Sequence, residues 1–148
     1  GIEGVLVLEM PVEVGKSFVD TMSKVEIDTI GLIRPTTTTI RMKETVKCSR
    51  VCLYGISRLG VTGVRTGLSQ DAEALVQRIR TVSDMPVALG FGISSPEHIR
   101  EVGRWADAAV VGSGLVSVIA EFRESDHLEE RVERYISWLT SNGLPKGP

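Results

Sequence analysis

The sequence has few of the side chains on which metal, redox and hydrolytic chemistry usually depend. Its 148 residues include two cysteines and two histidines. Two cysteines exclude a disulfide framework and a four-cysteine zinc site, and the spacing of Cys48 and Cys52 fits no common metal or redox motif, so we expect two reduced thiols. His98 and His127 fall in segments predicted to be helix surface or helix start, which argues against a Ser-His-Asp hydrolase.

Charge of one sign and long apolar runs are also lacking. Seventeen Lys and Arg side chains oppose 19 Asp and Glu side chains, which gives a net charge of -2. We therefore expect no nucleic acid and no anionic membrane as a partner. No apolar run reaches the about 20 residues that span a bilayer. With neither a membrane span nor a signal peptide expected, the predicted location is the cytoplasm.

The composition is that of an ordinary globular protein, with 42% apolar and 24% charged residues. The length fits one domain, predicted at 1–140, followed by a frayed tail with Gly and Pro at 141–148. An apolar strand at 5–8 follows Gly1 almost at once, whereas domains usually begin with a frayed terminus. We expect that a further segment normally precedes Gly1.

Short apolar segments alternate with segments of helical periodicity. The short apolar segments are rich in Val, Ile and Leu on both faces, which is typical of parallel strands covered on both sides. The pattern predicts an α/β fold with about five parallel βα units. The predicted strands are Gly4–Met10, Asp28–Arg34, Val51–Ile56, Pro86–Gly90 and Ala108–Val111. The last helix is expected to bury Leu128, Val132, Tyr135, Ile136 and Leu139.

Glycine-rich turns follow the last two predicted strands. Gly90 and Gly92 bracket Phe91, and a helix follows whose cap is either Ser94, with Glu97 completing a capping box, or Ser95, with Pro96 at the first position. The turn at 112–114 opens directly into another helix. Such a pair of turns binds phosphate in many (βα)8 barrels, although tight βα turns alone would also explain the glycines.

Two further features lie at predicted strand ends. The third strand leads into a long loop at 57–63 with two glycines, two hydroxyls and an Arg, which favours a lid over the site or, alternatively, a mobile surface loop. Glu9 ends the first strand, where a carboxylate is a candidate acid, base or orienting group. A partly solvated charge is the alternative interpretation for Glu9.

The sequence resembles the tryptophan synthase alpha chain family from about Gly4 to Phe122. The resemblance rests on short segments in the right order and at the right spacing. The most specific are the lid-like Ser57-Arg58-Leu59-Gly60-Val61-Thr62-Gly63 and the turn Gly90-Phe91-Gly92-Ile93-Ser94-Ser95-Pro96-Glu97; the others are Gly4-Val5-Leu6-Val7 with Pro11, Pro35-Thr36-Thr37-Thr38 and Gly112-Ser113. Other phosphate-binding barrels, such as thiamine phosphate synthase or a pentose phosphate epimerase, do not carry the Ser57–Gly63 motif at this position.

The resemblance implies a (βα)8 TIM barrel of which this chain forms a partial barrel, strands four to eight. It implies a lyase of tryptophan biosynthesis that cleaves indole-3-glycerol phosphate to indole and glyceraldehyde 3-phosphate. No cofactor or metal is expected in this subunit. Pyridoxal phosphate is expected only in a partner beta chain, which receives the indole.

The resemblance also assigns site residues. The family's phosphate-binding amides match Gly63, Gly92, Gly112 and Ser113. Phe91 matches an aromatic beside the indole pocket, and we group it with the phosphate-binding residues. The candidate catalytic residues are Tyr54, a pocket tyrosine near the reacting end, Thr62 of the lid and Glu9, where the family usually has Asp. Gly114 replaces the usual Ala, a change expected to be mild.

The catalytic Glu and Asp of the family lie on strand two and the loop after it, which this sequence does not contain. We therefore expect the isolated chain to be inactive. The alternative function is an inactive half barrel that binds a phosphate ester or the beta chain. Five strands leave two open sheet edges, so we also expect self-association or pairing with a complementary piece.

Overall fold

The structure is a computed structural model that describes residues 1–8, 12–56, 70–90 and 92–141. Strands and helices alternate along these residues, and two helices follow the last strand. The strands are β1 (Gly4–Leu6), β2 (Asp28–Ile33), β3 (Leu53–Ile56), β4 (Val87–Gly90) and β5 (Ala108–Val110). The helices are α1 (Val12–Lys24), α2 (Thr39–Lys47), α3 (Gln70–Arg80), α4 (Pro96–Val102), α5 (Ser113–Phe122) and α6 (Leu128–Ser141).

The five strands form one parallel sheet in the order β1-β2-β3-β4-β5. Each strand pairs with its neighbours in the chain, and the register runs from Leu32 through Tyr54 and Ala88 to Ala108. A doubly wound sheet would reverse its strand order at a switch point. This unbroken order is instead that of a βα barrel, here present as an open sheet of five units.

The hydrophobic core lies between one face of this sheet and the helices. Because side chains alternate along a strand, Ile33, Leu53 and Leu89 point to the same side. There they meet Leu75 and Ile79 of α3, and all five side chains are at most 1% exposed. This burial explains why the apolar periodicity of α3 is the strongest helix signal in the sequence.

The opposite face of the sheet is only half-covered. Leu32, Tyr54 and Ile56 point to this inner face and are half-buried. Near it, Val110 is 39% exposed, and no residue of α5 is buried although the helix is rich in apolar side chains. A closed barrel would fill this space with inward-pointing side chains from further strands.

Local capping residues fix where two helices begin. Thr38 accepts a hydrogen bond from the Arg41 amide and caps α2. Ser95 accepts from the His98 amide and caps α4, with Pro96 as its first helical residue. The second of the two predicted capping alternatives is therefore the correct one, and Ser94 lies outside the helix.

An ionic lock closes the amino-terminal end of the sheet. The Asp107 carboxylate accepts a hydrogen bond from the Val87 amide at 2.7 Å and forms an ion pair with Arg80. Arg80 also donates to the Met85 carbonyl. Since this end lies opposite the carboxyl ends of the strands, the lock joins α3 to β4 and β5 and has a structural role.

The structure corrects several sequence-based boundaries. The first strand ends at Leu6, and the third begins at Leu53 and the fourth at Val87. Ile136 is 38% exposed, contrary to its predicted burial. The α6 helix packs mainly against α4 and α5. Of its residues predicted to be buried, Leu139 is buried and Leu128, Val132 and Tyr135 are half-buried. Ser141 is still helical, and residues 142–148 of the predicted tail lie outside the described residues.

None of the helices within the described ranges is long and apolar enough to cross a membrane.

Candidate functional site

The carboxyl ends of the strands mark one edge of the sheet as the place where loops can build a site. All strand pairs are parallel, so the residues after Ile56, Gly90 and Val110 emerge at this same edge. In βα barrels the loops at this edge bind substrate. Gly92, Gly112 and Ser113, three of the predicted site residues, follow β4 and β5 here.

Gly92 occupies a position that other residues tolerate poorly. Its φ angle is 67°, in the left-handed region where a side chain is strained. The residue is exposed, and the turn therefore presents backbone to the solvent. A glycine here allows a ligand to approach the amides directly.

Within the described residues, the turn after β5 has backbone donors without an acceptor. Gly112 is the N-cap residue of α5, and no side chain caps this helix. The first amide to donate within the helix is that of Val116, to the Gly112 carbonyl. The amides of Ser113 and Gly114 before it point out of the helix end, where the dipole favours an anion. A β-carbon at Gly112 would meet no atom within 4 Å, so the approach to these amides is open.

The two turns converge. A β-carbon on Gly114 would lie 3.7 Å from Cβ of Ser94, a distance of ordinary van der Waals contact. Gly114 belongs to the first turn of α5 and Ser94 to the loop after β4. The two loops therefore approach each other at the carboxyl edge of the sheet, and the Tyr135 hydroxyl lies at the point where they meet.

Tyr54 lies on the inner face of the sheet, toward the same edge. Its ring crosses the neighbouring strand at Gly90, where a β-carbon would overlap its hydroxyl oxygen. Burial raises the pKa of the Tyr54 hydroxyl above its ordinary value. The hydroxyl is therefore protonated at neutral pH and can donate a hydrogen bond.

His98 supports the turn after β4, a role that the sequence does not reveal. Its side chain is half-buried, and its Nδ1 accepts a hydrogen bond from the Ser94 amide at 3.3 Å. This bond requires Nδ1 to be unprotonated. The spacing of four residues between Ser94 and His98 is the signal that could have indicated it. His127, in contrast, is exposed, as predicted.

Four predicted site residues lie outside the described residues: Glu9, Thr62, Gly63 and Phe91. Leu8, the neighbour of Glu9, is described, and its carbonyl accepts a hydrogen bond from the Arg34 guanidinium at 3.2 Å. Arg34 follows β2, so this bond joins the carboxyl ends of the first two strands.

The polar groups in the described part of the chain include few side chains of the kinds that bind metal ions. Within these ranges, no group of three or more His, Cys, Asp or Glu side chains is placed to hold a metal ion. Both cysteines are free. Backbone amides follow β4 and β5 at this edge, and the Tyr54 hydroxyl lies beside Gly90 on the inner face of the sheet.

An all-parallel sheet in consecutive strand order, with helices between the strands, defines a protein of the βα-barrel class. The family model described as "Tryptophan synthase alpha chain" matches residues 1–142. This chain belongs to the tryptophan synthase alpha chain family.

Similar proteins come from bacteria, archaea and plants. The tryptophan synthase alpha chain of Solibacter usitatus is 42% identical over 135 residues, which are 91% of this chain and 51% of the relative. That of Methanoregula boonei is 40% identical over 139 residues, which are 93% and 52%. The Arabidopsis thaliana protein of the same name is 34% identical over 142 residues, which are 95% and 52%.

Solved structures of the family share the fold. The Pyrococcus furiosus tryptophan synthase α2β2 complex includes a chain that superposes with a TM-score of 0.84 at 30% identity, covering 95% of this chain and 56% of that one. A mutant of the alpha subunit from the same organism gives 0.82 at 29% identity, with the same coverage. This chain therefore spans about half the length of the relatives it matches.

Proposed function

We propose that this chain is the phosphate-binding, carboxyl-terminal portion of a tryptophan synthase alpha-type lyase. The reaction is the cleavage of indole-3-glycerol phosphate to indole and glyceraldehyde 3-phosphate. The observation that carries the proposal is that the turns after β4 and β5 approach each other at Ser94 and Gly114, beside the first turn of α5, which has no side-chain cap. Family membership along nearly the whole chain supplies the reaction.

The phosphate of the substrate is assigned to the amides of Gly92, Gly112 and Ser113, with Gly63 and Phe91 completing this end of the site. A dianionic ester suits these groups because the first turn of α5 combines free N–H donors with the positive end of the helix dipole. Binding energy from this remote group orients the part of the substrate that reacts. We therefore expect this chain to bind the phosphate group of the substrate even when it cannot cleave the substrate.

The candidate catalytic residues are Tyr54, Thr62 and Glu9. A protonated Tyr54 hydroxyl beside the reacting end of the substrate can donate to an oxygen of the glyceryl chain. Thr62 is assigned to lid closure, which excludes water from the cleavage step. Glu9 stands where the family usually has Asp, and the added methylene shifts its carboxylate on a scale that matters for positioning.

The two acid-base carboxylates of the family are proposed to come from a segment outside these 148 residues. Deprotonation of the indole nitrogen and protonation of its C3 carbon need positioned groups in a site closed to water. The half-buried inner face, with Leu32 and Ile56, is the surface that such a segment would cover. Without it, the open strand edges favour self-association.

A beta chain is the proposed partner for the product. The similar alpha chain from Pyrococcus furiosus was solved in an α2β2 complex. Indole released by this chain would pass to a beta chain that carries pyridoxal phosphate. Such a pathway places the protein in the cytoplasm.

The test is an assay of indole release from indole-3-glycerol phosphate. The chain is measured alone and with an added amino-terminal segment of a relative that contains strands one to three. Turnover only in the mixture supports the proposal, whereas turnover by the chain alone would show that its own residues supply the acid and base. No turnover in a mixture that does form a complex would overturn the enzymatic assignment.

A pair of charge variants tests the proposed anion site in a separate measurement of glycerol 3-phosphate binding. Gly112→Glu places a carboxylate at the open start of α5, whereas Ser137→Glu adds the same charge on the exposed face of α6. Repulsion of the phosphate should abolish binding of glycerol 3-phosphate in the first variant only. Equal binding of glycerol 3-phosphate by both variants would show that these turns do not form the phosphate site.

A half barrel that binds a phosphate ester or a beta chain without chemistry is the second candidate. It is favoured by the described turns after β1 to β5, which offer amides and hydroxyls but, within the described ranges, no carboxylate. Phosphate binding without turnover in the complemented mixture would select it.

A further inference from the structure

The second residue of α5 and a tyrosine of α6 are in unusually close contact. A β-carbon on Gly114 would overlap the Tyr135 hydroxyl oxygen and lie 3.4 Å from Cζ of its ring. Where the family usually has Ala, this chain has Gly, and the hydroxyl takes the space of the missing methyl group. Alanine at position 114 would require the hydroxyl end of Tyr135 to move.

The hydroxyl lies beside the first turn of α5. Cα–Cβ bonds in a helix tilt toward its amino terminus, so the space above Gly114 borders the first turn with its free amides. The same β-carbon position is 3.7 Å from Cβ of Ser94, in the loop after β4. The Tyr135 hydroxyl, from α6, therefore lies where the loop after β4 meets the first turn of α5.

The ring is held while the hydroxyl is left without a protein partner. Tyr135 is half-buried, and its ring lies 5.7 Å from that of Trp138, centroid to centroid. Within the part of the chain that the structure describes, its oxygen makes no hydrogen bond. A tyrosine hydroxyl with no protein partner is available to donate a hydrogen bond to a ligand that enters this space.

We propose that the Tyr135 hydroxyl donates a hydrogen bond to the phosphate monoester and that Gly114 makes room for it. The inference rests on the proposed phosphate site and adds a binding residue from α6 to it. A neutral phenol suits a dianion because it donates without requiring a counterion. Gly114 and Tyr135 then form a matched pair in this chain.

The first test measures the affinity of the 148-residue chain for glycerol 3-phosphate, with glycerol as the unphosphorylated control. Tyr135→Phe removes only the oxygen and should weaken binding about tenfold, the value of one hydrogen bond to a charged acceptor. Unfolding in urea checks that the variant folds like the original chain. Binding by the original chain together with an unchanged affinity of Tyr135→Phe overturns this inference alone, and no binding by the original chain overturns the proposed site as well.

A double variant separates hydrogen bonding from packing. Gly114→Ala should lower both affinity and stability through the overlap with Tyr135, and Gly114→Ala with Tyr135→Phe should recover stability because the overlapping oxygen is gone. Its affinity should stay as low as that of Tyr135→Phe. Full recovery of affinity in the double variant would mean that the hydroxyl affects binding only through its size, and not through a hydrogen bond. The inference would then fail.

A measurement on the unmodified chain avoids any dependence on folding of variants. The sequence contains two tyrosines, Tyr54 and Tyr135. With ¹³C at the Cζ position, the Tyr135 resonance, assigned through Tyr54→Phe, should shift on saturation with glycerol 3-phosphate. A resonance that does not move while phosphate binds contradicts the inference.

Discussion

The hydroxyl end of Tyr54 lies directly over Gly90 on the neighbouring strand. A β-carbon at residue 90 would overlap the hydroxyl oxygen and lie 2.6 Å from Cζ and 3.0 Å from Cε2. Tyr54 pairs in register with Ala88, so Gly90 is its diagonal neighbour on the inner face. The glycine thus determines where the ring of a candidate catalytic residue can lie.

Gly90→Ala should therefore displace Tyr54 and destabilise the fold by about 1–3 kcal/mol, the usual cost of forcing an extra carbon into a packed position. In a Tyr54→Leu background the same substitution should cost less, because the overlapping ring atoms are gone. Urea unfolding of the four proteins in a double-mutant cycle measures the coupling. Gly112→Ala, with open space around its β-carbon, is the control. Equal costs in both backgrounds would show that the ring is not what excludes alanine.

Gly92→Ala tests the backbone of the proposed phosphate turn. At a φ of 67° the alanine should cost about 1–2 kcal/mol. Gly92→Asn should cost less, since asparagine tolerates this region best among residues with side chains. Thermal unfolding gives the ranking, and a more stable alanine than asparagine variant would contradict the left-handed conformation.

Asp107 should make stability depend on acid. Burial acts to raise the pKa of its carboxyl, but hydrogen bonds from the Val87 amide and the Arg80 guanidinium outweigh burial and hold the pKa below its ordinary value of 3.8. A carboxyl whose pKa is lower in the folded than in the unfolded chain stabilises the fold above the unfolded value. That contribution is lost as the pH falls through the folded value.

Asp107→Asn should accordingly flatten the loss of stability between about pH 5 and about pH 2. At neutral pH the variant should be less stable by about 1 kcal/mol, a modest value because the ion pair is partly solvated. Asp20→Asn, an exposed change on α1, serves as the control and should leave the acid profile unchanged. Parallel profiles of stability against pH for the Asp107 variant and the original chain would show that Asp107 does not stabilise the fold in this way.

The core prediction contrasts two apolar truncations. Leu75→Ala opens a cavity at a side chain that is 1% exposed and should cost about 3–4 kcal/mol. Val116→Ala, at a side chain that is 61% exposed on α5, should cost less than about 0.5 kcal/mol. Urea midpoints decide between them. A large cost at Val116 would show that this part of α5 is covered in solution.

The order of strands and helices was predictable because each segment carries its own signal. The period of Leu75, Val76 and Ile79 identifies α3, and Ser95-Pro96 marks the start of α4. The ends of the short strands were harder to predict: Val51 and Pro86 continue the apolar pattern, yet they precede the residues that pair in the sheet. Hydropathy reports burial, whereas strand ends depend on pairing.

The positions of Gly92, Gly112 and Ser113 at the carboxyl edge follow from the rule that parallel strands end together. The contribution of Tyr135 could not be predicted in the same way. A helical tyrosine in an apolar stripe reads as packing, and only the contact with Gly114 shows that its oxygen reaches the first turn of α5. His98 was missed for a related reason, since its ring acts on a backbone amide rather than on another side chain.

The consecutive strand order has a consequence for synthesis. Each of the inner strands β2, β3 and β4 hydrogen-bonds with the strand made just before it and the one made just after it, and β5 pairs with β4. A nascent chain emerging from the ribosome can therefore add one βα unit at a time to those already docked, without waiting for a distant partner. The growing edge is always the newest strand, so vectorial translation and sheet assembly proceed in the same direction.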